Sequence, residues 1–251
     1  MAEIVLIEVC VDSPSSAIAA ERGGAARVEL CGSLAEGGIT PSAGMIEAVR
    51  KKISIGLQVI IRPRPGDFCY EPDEVEIMCR DISLAKEAGA DGVVFGILDR
   101  EGKVDVGTTG ELVRLAHPMN VTFHRAFDMS ADLFQALEDV CAAGAHRVLT
   151  SGGEKECAQG AGTIARLVKA AQGRVAIMAG GGVRQDNVAN IIQSTGVQEI
   201  HVGLSRLVAS PMTYRNSRVS LGKAEGREYQ RWQVLEENVR KLQRSLALGT
   251  S

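Results

Sequence analysis

Gly24-Ala25-Ala26-Arg27-Val28, Gly89-Ala90-Asp91-Gly92-Val93, Gly144-Ala145-His146-Arg147-Val148 and Gly196-Val197-Gln198-Glu199-Ile200 are four versions of one junction. In each, a helix-like segment stops at a glycine and a short apolar run follows. Glycine just past a helix end takes the left-handed conformation that closes the helix. The run after it is β-branched and apolar, as a strand covered by helices should be. Working outward from these junctions, eight such runs fall near residues 4–10, 26–31, 57–62, 92–96, 121–125, 147–151, 175–179 and 199–203. Their spacing of about 28 residues leaves room for a strand, a helix and two short loops. Helical spacing fills the gaps, as in Ile46, Val49 and Ile53, or Ile164, Leu167, Val168 and Ala171. Eight strand–helix units in 251 residues predict a single (β/α)8 barrel, the TIM barrel, spanning residues 1–251. A doubly wound open sheet is the rival, and it lacks this even spacing.

The tail departs from the repeat. Residues 206–227 show no period and contain Ser, Pro, Gly and Asn, so an irregular segment is expected there. After it, Trp232, Leu235, Val239, Leu242 and Leu246 recur at three and four residues and predict a final amphipathic helix.

Composition narrows the function classes. Twenty-eight basic against 31 acidic side chains give a net charge of −3, which removes any general electrostatic case for nucleic acid or an anionic membrane. No charge-free apolar stretch approaches a membrane span. The start, MAEIVLIEVCVDS, lacks the basic region of a secretory signal. Six cysteines without a CxxC pair make no disulfide framework, so free thiols in a reducing cytoplasm are expected.

In a parallel barrel, active sites lie at the C-terminal strand ends, and side chains alternate inward and outward. Ile4, Leu6, Glu8 and Cys10 share one face, as do Arg27, Glu29 and Cys31; Gln58, Ile60 and Arg62; Thr122 and His124; and Glu199 and His201. The opposite faces, such as Val5-Ile7-Val9, suit packing under helices. The polar faces must then point inward. Such an interior is costly unless its charges pair. Two readings stand open: an ion-pair layer that fills the barrel, or an acid/base site at its mouth.

Cys10 and Cys31 each end a strand, and the two strands are neighbours. Strands run about 4.8 Å apart, and two thiolates collinear with one ion lie about 4.6 Å apart when each bond is about 2.3 Å. Soft thiolates favour Cu(I), or zinc with more ligands; two small buried hydrophobes are the plain alternative. Cys69, after the third strand, offers a third sulfur. The glycines of Ser151-Gly152-Gly153 and Gly180-Gly181-Gly182 suit backbone anion binding, which barrels often place after strands seven and eight, or they simply turn tight loops. Arg62 and Arg64 add guanidinium forks suited to carboxylate or phosphate.

Several longer motifs resemble the CutC family. They are Glu8-Val9-Cys10, Glu29-Leu30-Cys31-Gly32, Glu36-Gly37-Gly38-Ile39-Thr40-Pro41-Ser42, Ile61-Arg62-Pro63-Arg64, Gly66-Asp67-Phe68, Thr122-Phe123-His124-Arg125-Ala126-Phe127-Asp128, Leu149-Thr150-Ser151-Gly152, Tyr214-Arg215-Asn216 and Glu228-Tyr229. The resemblance runs nearly end to end. It implies a cytoplasmic (β/α)8 barrel, often oligomeric, in a family named for copper homeostasis, with Cys10 and Cys31 as the Cu(I) ligands. Two functional expectations follow. One is a Cu(I)-binding copper homeostasis protein. The other is an orphan barrel enzyme acting on a small anionic, phosphorylated or sugar-like substrate. Glu8, Glu29, His124, Asp128 and His201 would be its acid/base set, and Arg62, Arg64, Ser151, Gly152, Gly181 and Gly182 would hold the anion.

Overall fold

The computed structural model describes residues 5–219 and 228–249, with no side-chain description for 247–249. Eight parallel strands close into a barrel in chain order. They are β1 (Leu6–Val11), β2 (Arg27–Leu30), β3 (Gly56–Ile60), β4 (Gly92–Phe95), β5 (Asn120–Phe123), β6 (Arg147–Thr150), β7 (Ala176–Gly180) and β8 (Glu199–Val202). The helices are α1 (Pro14–Arg22), α2 (Ala43–Arg50), α3 (Pro72–Glu87), α4 (Val106–Ala116), α5 (Leu133–Ala143), α6 (Ala161–Ala171), α7 (Val188–Thr195) and α8 (Glu236–Gly249). This is the (β/α)8 barrel that the repeat predicts. The expectation that the first strand begins at Ile4 lies outside the described residues.

The junction glycines behave as their chemistry requires. Gly24, Gly89, Gly144 and Gly196 all have positive φ, from 73° to 96°. Local caps set the helix starts: the Ser42 and Asp105 side chains accept from backbone N–H groups in the first turns of α2 and α4. The apolar core lies between barrel and helices. Outward-facing Ile7, Val9, Val28, Val59, Phe123 and Ile200 are buried there against Ile46, Met78, Leu137 and Ile164.

The barrel interior is polar, and inward glycines make room for it. A Cβ on Gly92 would lie 1.9 Å from the Gln58 Oε1, and one on Gly96 would lie 2.7 Å from the His124 Nδ1. Side chains of that size cannot share a layer with any neighbour larger than glycine.

The tail differs from the sequence reading in two places. Ser205–Ala209, at the head of the segment read as irregular, is a strand, β9, and it pairs antiparallel with β10 (Gln230–Val234). Trp232 faces Leu207 in this ribbon, so α8 begins at Glu236 and not near Trp232. The ribbon is tied down where the Ser16 hydroxyl accepts from the buried Val234 N–H at 3.1 Å. Residues 220–227 lie outside the described residues.

One substitution tests the steric logic of the interior. Gly92→Ala places a methyl against both Gln58 and the Asn120 carbonyl oxygen. It should cost about 1–3 kcal/mol, the usual range for overpacking. Urea unfolding checks this, and an unchanged midpoint would show that Gln58 can leave its place freely.

Candidate functional site

Strand register builds the site. Glu8 on β1 lies opposite Arg27 on β2 and His201 on β8, and Cys10 lies opposite Glu29. The lower part is an ion-pair layer. The Arg27 Nε binds the Glu8 Oε2 at 2.5 Å, and the same guanidinium binds Glu199. Arg147 binds Glu199 from the other side and donates to the Thr122 hydroxyl at 3.1 Å. Burial works against charge on Glu8, but His201 and Arg27 outweigh it and hold its carboxyl down at about 2. Glu199 is half-buried, and its two arginines outweigh that burial and hold it below the usual range.

Above this layer His201 bridges two carboxyls. Its Nδ1 lies 2.8 Å from the Glu8 Oε1, and its Nε2 lies 3.7 Å from the Glu29 Oε2. Burial alone would lower this ring's pKa, yet Glu29, Cys10 and Glu8 around it keep it well above the ordinary histidine value. Glu29 is different. Burial, with Cys10 and Glu8 as negative neighbours, pushes it up to about 8 against the pull of His201.

The two thiols sit on top. The Cys10 and Cys31 sulfurs are 3.7 Å apart, and the Cys31 Sγ lies 3.4 Å from the Glu29 Oε2. The Cys31 backbone N–H donates to the Val11 carbonyl, which sets that residue diagonally above Cys10. The hydrogen bond from Cys31, helped by His201, draws the Cys10 thiol down to about 5 despite burial. Cys31 is pushed well above its ordinary value by the same bond and by burial. The two sulfurs and a Glu29 oxygen lie within 4.8 Å of one another, close enough to hold one ion. Cys69 is not in this group; it lies in the loop after β3, where its carbonyl accepts from Arg64.

The other expected residues go elsewhere. Asp128 is committed to holding loops. Its carboxylate accepts from the Thr150 hydroxyl at 2.5 Å, from the Ser151 and Gly153 N–H groups at 3.0 Å and from Arg125 at 2.8 Å. Ser151 is spent on the same knot, through Arg125 and the Glu154 carbonyl. A Cβ on Gly152 would lie 2.5 Å from the Gly160 oxygen, so this glycine serves a close backbone crossing. The Gly181 carbonyl accepts from the Cys157 N–H, and the Gly182 carbonyl accepts from Asn187. Both glycines turn tight loops with positive φ. Near them, a cleft of about 530 Å³ opens between Arg184, Gly203, Leu204, Arg206, Asn238 and Lys241, and neither Gly181 nor Gly182 lines it. Arg64 pairs with Glu74 and Asp67. Arg62 and His124 are buried beside Phe68, apart from the thiol pair. Sequence reasoning missed Arg147, although its place as the first residue of β6, on the inward parity of Leu149, carries the signal.

A (β/α)8 barrel with two neighbouring thiols over a buried carboxyl–histidine pair is the class that fold and site define. Within that class the chain belongs to the CutC family, whose model matches residues 5–205. It is 45% identical over 241 residues to a family protein CutC of Chromobacterium violaceum, covering 96% of this chain and 98% of that one. It is 46% identical over 217 residues to the human copper homeostasis protein cutC homolog, covering 86% of this chain and 80% of that one. The CutC structure from Streptococcus agalactiae superposes with a TM-score of 0.75 at 34% identity, covering 79% of this chain and 98% of that one. Among the described residues no helix is long and apolar enough to cross a membrane.

Removing the Glu8 charge tests the ion-pair layer. Glu8→Gln leaves Arg27 with one carboxylate and takes the anion from His201. It should cost about 3–5 kcal/mol at neutral pH, as breaking a buried pair does. The stability from Glu8 is complete above its unfolded value of about 4.3 and is lost as pH falls toward about 2. The gap between mutant and wild type should therefore close over that window; a gap that persists at the acid end would contradict the assignment.

Proposed function

We propose that this protein binds Cu(I) through Cys10 and Cys31, with the Glu29 carboxyl beside them, as its part in copper homeostasis. The observation that carries the reading is the 3.7 Å separation of two sulfurs over a carboxyl oxygen, in a place that lowers the Cys10 thiol to about 5. Soft thiolates select a soft monovalent ion. The sulfurs stand closer than the about 4.6 Å of a collinear pair, so a bent site that also uses Glu29 needs less movement than a linear one. Binding displaces the proton held by Cys31, and a protonated His201 balances the single negative charge that Cu(I) with two thiolates leaves.

A reducing, cytoplasmic setting keeps such thiols free. A homo-oligomer would cover the exposed Leu207–Trp232 pair on the β9–β10 ribbon. The second reading, acid/base catalysis, is favoured by one fact. Glu29, at about 8, is a protonated acid beside an anionic sulfur at neutral pH. Its acid/base groups are Glu29, Cys10 and His201, since Asp128 has no free oxygen.

Anaerobic Cu(I) titration against a competing chelator tests the copper reading. Wild type should bind one ion with sub-micromolar affinity. Cys10→Ser/Cys31→Ser should lose more than the about 10–100-fold that removing a ligand's supporting partner costs. Affinity should rise with pH near neutrality, about tenfold per pH unit for each proton released: one from Cys31, and a second from Glu29 when its carboxyl becomes a ligand. Full affinity in the double mutant would end the reading.

A further inference from the structure

Arg62 is a buried cation with no carboxylate within ion-pair distance among the described residues, unlike its neighbour Arg64, which has two. Its two terminal nitrogens donate to the backbone carbonyls of Glu36, Gly38 and Gly66. These bonds hold the loops but leave the charge unbalanced and the Nε–H without an acceptor. A buried charge of this kind is costly unless an anion meets it.

Two more polar atoms beside it are also buried and unpartnered: the His124 Nε2 and the Tyr70 hydroxyl. The His124 Nδ1 accepts from the Ala126 N–H at 3.2 Å, which places the ring proton on Nε2. Burial and the nearby Arg62 push this ring down to about 3, so it stays neutral with Nε2–H as a donor. Burial pushes the Tyr70 phenol up to about 12 against the pull of Arg62 and Arg64, so it too keeps its proton. The group thus offers three donors, one of them cationic, and its one acceptor, the Tyr70 hydroxyl oxygen, is uncharged and leaves the Arg62 charge unmatched. Arg62 and His124 are each more than nine-tenths buried.

We propose that Arg62, Tyr70 and His124 form a binding site for a small anion bearing a phosphate or carboxylate group, entered past Phe68. The Phe68 ring lies 4.8 Å from the His124 ring and 5.0 Å from the Arg62 guanidinium. Phe68 is only partly buried, and its backbone oxygen is fixed by the Leu98 N–H. Rotation of its side chain, not loop movement, is therefore the entry. The site shares no side chain with the thiol pair and does not rest on the copper reading. It is nevertheless a neighbour: the Gly38 carbonyl accepts from Arg62, and a Cβ on Gly38 would lie 3.3 Å from the Cys31 sulfur. An anion held by Arg62 thus lies one peptide away from Cys31.

The test uses the full chain labelled with ¹⁵N-histidine, whose four rings are resolved by nitrogen–proton spectra. Inorganic phosphate and acetate are titrated separately. The His124 Nε2–H signal should move saturably with at least one of them, and which anion moves it further decides between a phosphate-bearing and a carboxylate ligand. By calorimetry, His124→Phe should weaken binding about tenfold or more, the loss of one charge-assisted hydrogen bond. Phe68→Ala opens the entry without touching a donor and should speed or tighten binding; a response confined to that variant still supports the site. A His124 signal unmoved by both anions, in wild type and Phe68→Ala alike, overturns it. So does anion affinity that His124→Phe leaves unchanged.

Discussion

Arg27 holds two carboxylates at once inside the barrel, Glu8 from β1 and Glu199 from β8, and the chemistry above depends on that grip. A barrel interior is too dry for a lone charge. Because Glu8 is fixed as an anion below, His201 can stand as a cation over it. Because His201 is a cation, Cys10 can stand as a thiolate next to it. Each layer stabilises the ionisation of the next, from the bottom of the barrel to its mouth. Arg147 closes the lower layer, and inward glycines such as Gly92 supply the volume that it needs.

Most of this ladder was legible in the sequence because it rests on a period of two. Once eight strands are placed, parity alone puts Glu8 with Cys10, Arg27 with Glu29 and Cys31, and Glu199 with His201. The junction glycines mark the strand starts for a reason equally local, their left-handed backbone. Parity fails where the chain leaves the strands. Asp128 looks like a catalytic carboxylate until its partners on the loop after β6 are seen, and they come from residues 22 to 25 positions away. Nothing in its own neighbourhood announces them. The β9–β10 ribbon was hidden for a related reason. Trp232 matches helical spacing with Leu235 and Val239, but cross-strand pairing with Leu207 decides its structure.

The two polar constellations at the mouth differ in kind. The thiol pair is fully partnered, and its unusual ionisation comes from those partners. The Arg62 group keeps three buried polar atoms without partners, and its interest lies in them. They meet at Gly37-Gly38, where Gly38 runs against Cys31 and gives its carbonyl to Arg62. After strands seven and eight, where barrels often bind anions, Gly181 and Gly182 turn their own loops and leave the cleft there to other residues. The unsatisfied donors lie instead beyond strands three and five.

The central claim is that Cys10 is a thiolate because Cys31 and His201 make it one. The direct measurement is the thiolate ultraviolet absorbance of the metal-free, reduced protein as a function of pH, taken as the difference between wild type and Cys10→Ser. The account predicts one thiolate already present at neutral pH, titrating near about 5, and a clear upward shift of that midpoint in Cys31→Ser. A difference signal that appears only in the range of an ordinary thiol, about 8.5, would contradict it.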